Sequence, residues 1–400
     1  MNFAAFAQSQ NSMDGMNPIL SFHEYLNQVG KKNLNFLAEK YNVDIAEAEM
    51  IAQKVLPDPD LEFEAADETF TLGLAYNLEL GNKRGARVRL AKSQSELEKL
   101  VLEYYYQELR AEAANLFLDA IQQRELLTVK KSSYEYMLQL SHSDSIRFRL
   151  GEITETDARQ SKLEAATLLN DVFEQEAVYK STLVLLNQFM GRTSDTLNIP
   201  SGKWDTLNRE YILPELTSLG LTTRIDLFAA NKNIEVVTNQ HKLVKAERKM
   251  DLGLSLNYER DWHGFLPPSR SFTAGISIPL KFSNLNKGAV KAAQFGIEQS
   301  KIQQQNMELQ IKSEISQAFF HFEAAKKKLR QYQSGLLDES HKILDGMVYK
   351  YKRGETSIME VLIAQRTYNE VQEQYLETMK GYVSSLVELQ KTCGIWDIEF

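Results

Sequence analysis

The sequence predicts an α+β chain, mostly α, in which long helical hairpins are joined to four β-strands. Three observations predict it. The stretch Phe70 to Gln94 (FTLGLAYNLELGNKRGARVRLAKSQ) alternates apolar and polar residues, crosses a basic joint, and then changes at once to helical spacing. The same change recurs where Phe272 to Phe282 runs through Asn284 to Ala289 into another helix. Three glycine pairs also keep one offset, because 288 − 85, 354 − 151 and 394 − 191 all equal 203. A period of two marks a strand with one apolar face, and a period near 3.6 marks a helix. The chain is therefore a duplication of helix, hairpin, long helix, turn and returning helix.

Composition bounds the reading. The chain has 400 residues, 43% of them hydrophobic and 25% charged, with net charge −8. That balance is ordinary for a folded protein and speaks against nucleic acid as a partner. Cys393 is the single cysteine, so an internal disulfide is impossible. No run of eighteen apolar residues is present, so no transmembrane helix is expected. Ala5-Phe6-Ala7 before Gln8 resembles the small-x-small end of a secretory signal, without a basic start or a full apolar core.

Residues 1–16 are expected to be a disordered terminus or signal remnant, and the polar stretch 8–20 to be disordered. The first repeat occupies 17–219. Leu34, Leu37, Tyr41, Ile45, Ala48, Ile51 and Val55 predict a helix over 33–55, ended by Leu56-Pro57-Asp58-Pro59. A hairpin follows over 60–80. Its first strand sets Leu61, Phe63 and Ala65 on one face, and its second sets Phe70, Leu72, Leu74, Tyr76 and Leu78 on one face. The joint Gly81, Lys83, Arg84 and Gly85 leads into a helix over about 86–140. About 55 residues at 1.5 Å each would reach on the order of 80 Å, which suits a helical tube better than a globule. Ser141 to Asp144 is expected to weaken it, Arg149-Leu150-Gly151-Glu152 to turn the chain, and Thr154 to cap a returning helix to Met190. A polar connector with Trp204 runs to Pro214.

The second repeat, 220–394, has its hairpin over 251–283, with Phe272, Ile276 and Ile278 on the apolar face, and its joint at Lys287 and Gly288. Asp60 and Asp251 differ by 191 rather than 203, so twelve residues are added between the second pair of strands, around Asp261 to Pro268. Residues 395–400 form a tail. Lys352, Arg353, Gly354, Glu355 and Ser357 make the second turn. About ten alternating residues suffice for a tilted strand to cross a bilayer, yet four strands cannot close a barrel, and lipid tolerates no open edge. Strands that meet a bilayer would need several chains to share one barrel. The helices over 33–55 and 154–190 together nearly match the long one, so they could stack end to end beside it.

The order strand, ELGNKRGAR, long helix, RLGEITETDARQSKLEA, repeated as PLKFSNLNKGA and YKRGETSIMEVLIAQRTYNE, resembles the TolC family of outer-membrane efflux proteins, nearest its heavy-metal, CzcC- and CusC-like branch. The resemblance covers about 17–394. It implies a homotrimer with a periplasmic α-barrel and a 12-stranded transmembrane β-barrel, outer-membrane lipid around it, a periplasmic adaptor at the tips and an inner-membrane pump of the resistance-nodulation-division type. It implies a docking role for Arg149, Leu150, Gly151, Glu152 and Thr154, and for Lys352, Arg353, Gly354, Glu355 and Ser357. Both turns also suit a plain solvent-exposed helical hairpin. Glu360 matches one acidic position that narrows the family's tunnel mouth. Asp157 stands at the same place in the first repeat (360 − 157 = 203), and Ile363 replaces the second acidic position. A ring of such carboxylates would favour cations, and a solvated helix surface is the plainer reading. Lys83, Arg84, Arg87 and Lys287 could touch lipid head groups or acidic neighbours. Trp262, Phe265 and Tyr258 could form an aromatic girdle or a packed loop. Some relatives carry a lipid-anchor cysteine near the N-terminus, whereas Cys393 lies at the other end.

The histidines (His23, His142, His241, His263, His321, His341) fall in no recognised metal motif, and no catalytic signature is present, so neither a cofactor nor an enzymatic activity is expected. A soluble trimeric coiled-coil scaffold is the alternative to an efflux duct.

Overall fold

The computed structural model describes residues 19–193, 196–202, 209–262, 267, 269–280 and 284–398. In chain order these form β1 (Ile19–Ser21), α1 (Phe22–Lys32), α2 (Leu34–Ala52), β2 (Asp60–Ala65), β3 (Thr69–Leu78), α3 (Lys83–Arg149), α4 (Glu155–Phe189) and β4 (Ile199–Ser201). The second copy gives α5 (Leu213–Thr223), α6 (Ile225–Ala246), β5 (Leu252–Asp261), β6 (Ser269–Ser277), α7 (Lys287–Gln331), α8 (Leu337–Lys352) and α9 (Ile358–Thr392). The chain divides into two compact units, one of residues 1–37, 105–224 and 311–400, the other of 38–104 and 225–310.

The first unit is helical. Its core gathers Phe117, Leu118 and Ile121 of α3 against Phe22 and Tyr25 of α1, whose rings lie 5.3 and 5.4 Å from Phe117. Burying each such side chain contributes on the order of 1.5–3 kcal/mol. A second cluster sits near both turns, with Met137 and Leu140 of α3, Leu168 of α4, Leu344, Val348 and Tyr351 of α8, and Val361 and Leu362 of α9. Like bonds anchor the residues that precede α2 and α6. Asn33 before α2 donates to the Phe189 carbonyl at the end of α4 (3.1 Å), and Arg224 before α6 donates to the Thr392 carbonyl at the end of α9 (3.2 Å).

The second unit holds a four-stranded antiparallel sheet in the order β2-β3-β5-β6. Register places Phe63, Leu72, Tyr258 and Phe272 in one row, and Leu61, Leu74, Leu256 and Ala274 in the next. Tyr76, Leu254 and Ile276 make a third row. Because side chains alternate across a sheet, these rows share one face. The opposite face carries Glu62, Gly73, Asn257 and Thr273. Helices α3 and α6 pack through Ala86, Leu90 and Leu243.

Several expectations are corrected. Residues 19–32, within or just after the stretch expected to be disordered, form β1 and α1. Ser21 caps α1 by accepting from the Glu24 amide (3.3 Å), and Phe22, Tyr25 and Val29 bury one stripe. The connector after α4 contains β4, which pairs in parallel with β1. Ser141 to Asp144 does not weaken α3, which runs unbroken for 67 residues. Ser145 bonds back to the Ser141 carbonyl at 2.8 Å, and Ser141 and Asp144 are buried against neighbours while His142 and Ser143 face water. The second long helix is divided instead, by a π-helical turn at Tyr332–Leu336 in which Gly335 has φ 117°. Part of the length added to the second hairpin extends a strand, since β5 has ten residues where β2 has six. Ile278 lies just beyond β6. The N-terminal signal-like residues, Trp204, His263 and Phe265 fall outside the described residues. Among the described residues, no helix is long and apolar enough to cross a membrane.

Candidate functional site

At the end of α3, Gly151 takes φ 79°, and at the end of α8, Gly354 takes φ 76°. Glycine adopts this left-handed conformation without the penalty a Cβ brings. Each turn closes with the same bond pair. The Glu152 amide donates to the Arg147 carbonyl and that of Gly151 to Phe148 (2.9 and 3.0 Å). Glu355 donates to Lys350 and Gly354 to Tyr351 (both 3.0 Å). This is the Schellman closure of a helix end. It leaves Arg149, Leu150, Glu152, Lys352, Arg353 and Glu355 exposed, with Arg353 paired to Glu355 at 2.8 Å.

The returning helices differ at their starts. Thr154 accepts from the Asp157 amide and donates to its carboxylate, which in turn accepts from the Thr154 amide, forming a reciprocal cap. Asp157 is therefore engaged in holding α4. Ser357 makes no side-chain cap bond, and Glu360 stands exposed in the first turn of α9.

Just inside the turns lies a contact that sequence reasoning missed. Asp144 of α3 is 0% exposed, and the Tyr351 hydroxyl of α8 donates to its carboxylate at 3.0 Å. The Arg147 guanidinium lies over the Tyr351 ring at 5.0 Å and reaches Glu152 at 3.3 Å. Burial pushes the Asp144 carboxyl above the usual carboxylate range, and burial together with Asp144 pushes the Tyr351 phenol up. The two hairpins are thus tied by one buried polar contact about a turn from their tips. No local sequence signal pairs residues 207 positions apart; an acidic residue and a tyrosine at helix ends are common.

In the second unit, Lys83 opens α3 and bonds the Asp251 carboxylate at 2.6 Å, and the same carboxylate accepts the Leu80 amide at 3.1 Å. Arg84 donates to the Lys54 carbonyl, and Arg87 holds Glu79 with both terminal nitrogens. Of the two partners weighed for these three cations, acidic neighbours hold Lys83 and Arg87. They also explain how cations sit at a helix start against the helix dipole. Gly81 has φ 79°, and a Cβ there would meet Lys249 Cγ at 2.4 Å, so glycine is required. Lys287 opens α7, while Gly288 lies inside that helix with open space beside it, and Leu285 and Asn286 take the left-handed conformation.

The apolar rows of the sheet face outward. Phe272 is 76% exposed, Ile276 73% and Leu61 71%; Leu72, Leu74 and Leu78 are exposed, and Phe70 and Tyr76 are half-buried. A soluble protein rarely leaves a contiguous apolar surface of this kind uncovered. Two helices also carry apolar stripes: Phe295, Ile302 and Leu309 on α7, and Tyr41, Ile45 and Ile51 on α2, are all exposed. Among the described residues, no cluster of three or more His, Cys, Asp or Glu is placed to hold a metal ion.

Long helices close in glycine turns, and one face of the sheet is apolar and exposed. The family described as "Outer membrane efflux protein" matches residues 216–394. The cobalt-zinc-cadmium resistance protein CzcC of Cupriavidus metallidurans is 22% identical over 384 residues, covering 94% of this chain and 90% of that protein. A crystal structure of CusC superposes with a TM-score of 0.78 at 13% identity, covering 96% of each chain. The CmeC channel of Campylobacter jejuni superposes with a TM-score of 0.76 at 16% identity, covering 93% of this chain and 86% of that one. Residues 216–394 thus match the outer membrane efflux family, and the fold of the chain is that of these solved structures.

Proposed function

We propose that three copies of this chain form one passive exit duct of a tripartite efflux pump, and that the duct releases metal cations or small toxic compounds from the periplasm. The observation that carries this is the outward apolar face of a sheet whose outer strands, β2 and β6, each have one edge unpaired within the chain. In lipid such edges must pair, and three sheets of four strands give a closed barrel of twelve. A soluble scaffold would instead expose that face to water.

Heterologous packing around a threefold axis needs two different faces on each chain. The α7 stripe and the α2 stripe supply them within one unit. The exposed turns (Arg149 to Thr154, Lys352 to Ser357) suit a periplasmic adaptor, which would hand over cargo from an inner-membrane pump of the resistance-nodulation-division type. Metal cargo is supported by the likeness to CzcC.

Glu360, exposed at the start of α9, would place three carboxylates around the duct mouth and favour cations. Planar-bilayer recordings of the detergent-extracted protein test this. We expect discrete conductances with a cation preference that falls several-fold in Glu360→Gln. Absence of conductance overturns the duct; an unchanged preference overturns the gate role of Glu360.

A further inference from the structure

The cleft between α3, α8 and α9 has no role in the duct reading. It encloses about 270 Å³, with Ser133 and Tyr136 contributed by α3, His341 and Asp345 by α8, and Gln365 and Tyr368 by α9. Its floor is polar and incompletely satisfied. Gln365 is 2% exposed, and its Nε2 donates to Asn369 Oδ1 at 2.9 Å. Ser133 donates to that same oxygen at 2.6 Å. Gln365 Oε1 is left buried with no hydrogen-bond partner. A buried acceptor without a donor costs about 1–3 kcal/mol, so Gln365 gains when its amide turns into the cleft to meet an N–H or O–H from a guest.

The walls and rim specify the rest of the guest. His341 packs edge-on to Tyr368 at 5.5 Å, and Tyr136 faces the same space, so the walls are aromatic. Burial, with Asp345 nearby, pushes the Tyr136 phenol up, which keeps that wall uncharged. At the rim, the Asp345 carboxylate lies 2.9 Å from His341 Nδ1 and remains largely open to solvent. This His-Asp pair, four residues apart on one helix, has no third metal-ligating side chain beside it among the described residues.

We propose that this cleft binds a small organic ammonium ion, a protonated primary amine carried on an apolar body. One N–H would satisfy Gln365 Oε1, the charge would face Asp345, and the body would lie against Tyr136 and Tyr368, where a cation also gains from the ring faces. An anion would meet Asp345. A neutral apolar guest would leave the Gln365 oxygen unpaired. A metal ion would find only two strong ligands.

Calorimetric titration of the full chain in detergent with benzylamine at pH 7 tests the proposal, with benzyl alcohol as the neutral counterpart. Saturable binding of one benzylamine per chain is expected, with benzyl alcohol at least tenfold weaker. Asp345→Asn and Gln365→Met should each weaken benzylamine by about tenfold. Asp345 is solvent-exposed, so its variant keeps the fold even if Gln365→Met disturbs packing. Benzyl alcohol binding as tightly as benzylamine, an Asp345→Asn chain with unchanged affinity, no saturable benzylamine binding, or displacement by micromolar Zn²⁺ would each overturn it.

Discussion

A chain carrying Ile302→Asp and Leu309→Asp should run as a monomer in mild detergent under conditions where the unaltered chain runs as a trimer. Both side chains are 66% exposed, and with Phe295 they recur every seven residues along α7. Seven-residue spacing keeps a seam facing one partner helix. Burying each side chain against the α2 face of a neighbour would contribute about 1.5–3 kcal/mol, and the trimer repeats that gain at three seams. An aspartate at the same point removes the gain and forces a carboxylate out of water. Because four strands cannot close a barrel, loss of the trimer should also remove the protein from the outer membrane. Size-exclusion chromatography with light scattering reads the mass directly. A double variant that stays trimeric in wild-type yield would show that the α7 stripe faces something else.

The second large effect belongs to Asp144 and Tyr351. Tyr351→Phe removes the hydroxyl that bonds the fully buried Asp144 carboxylate, leaving that oxygen unpaired at a cost of about 1–3 kcal/mol. A shift of about 1.4 kcal/mol is tenfold in an equilibrium, so the time the two hairpins spend apart should rise by roughly ten- to a hundredfold. Single-channel recordings should show this as more frequent or larger openings. The pH dependence has a definite sign. Burial raises the Asp144 carboxyl in the folded chain, so its contribution is fully present below the ordinary carboxylate value of about 3.9 and is lost as pH rises through the raised one. Openings should therefore become rarer in mild acid for the unaltered chain, and Asp144→Asn should flatten that response. Openings that grow more frequent in acid would contradict the assignment.

Much of the architecture was legible because two periodicities and one offset carry it. Phe70 to Leu78 alternates over nine residues, and the strand forms where that alternation predicts it. Gly151 and Gly354 sit where only a left-handed residue closes the turn, so their spacing survived in both copies. Elements whose sequence signal is short were harder to read. Helix α1 is eleven residues and was lost in a polar stretch, although Ser21 with Glu24 is a capping pattern before the apolar residues Phe22, Tyr25 and Val29. The strands β1 and β4 are three residues each and pair across 180 positions, as Ile19 and Ile199 show. The end of α3 was misread because Ser and Asp are weak helix formers by propensity, and tertiary burial at Asp144 overrode that preference. The candidate sites divide the same way. Turn and joint positions follow from local chemistry, whereas Asp144 with Tyr351, and Gln365 with Ser133, are brought together by packing alone.

Disulfide capture between neighbouring chains tests the shared barrel most directly. Glu62→Cys on β2 is combined in turn with Ser271→Cys or Thr273→Cys on β6, all on the polar face of the sheet. Burial pushes the Cys393 thiol up to about 11, so it can stay in place without competing. Oxidation in intact cells should join three chains, and no more, at one of these registers. Monomers at every register, or ladders running past three chains, would contradict a barrel closed by three copies.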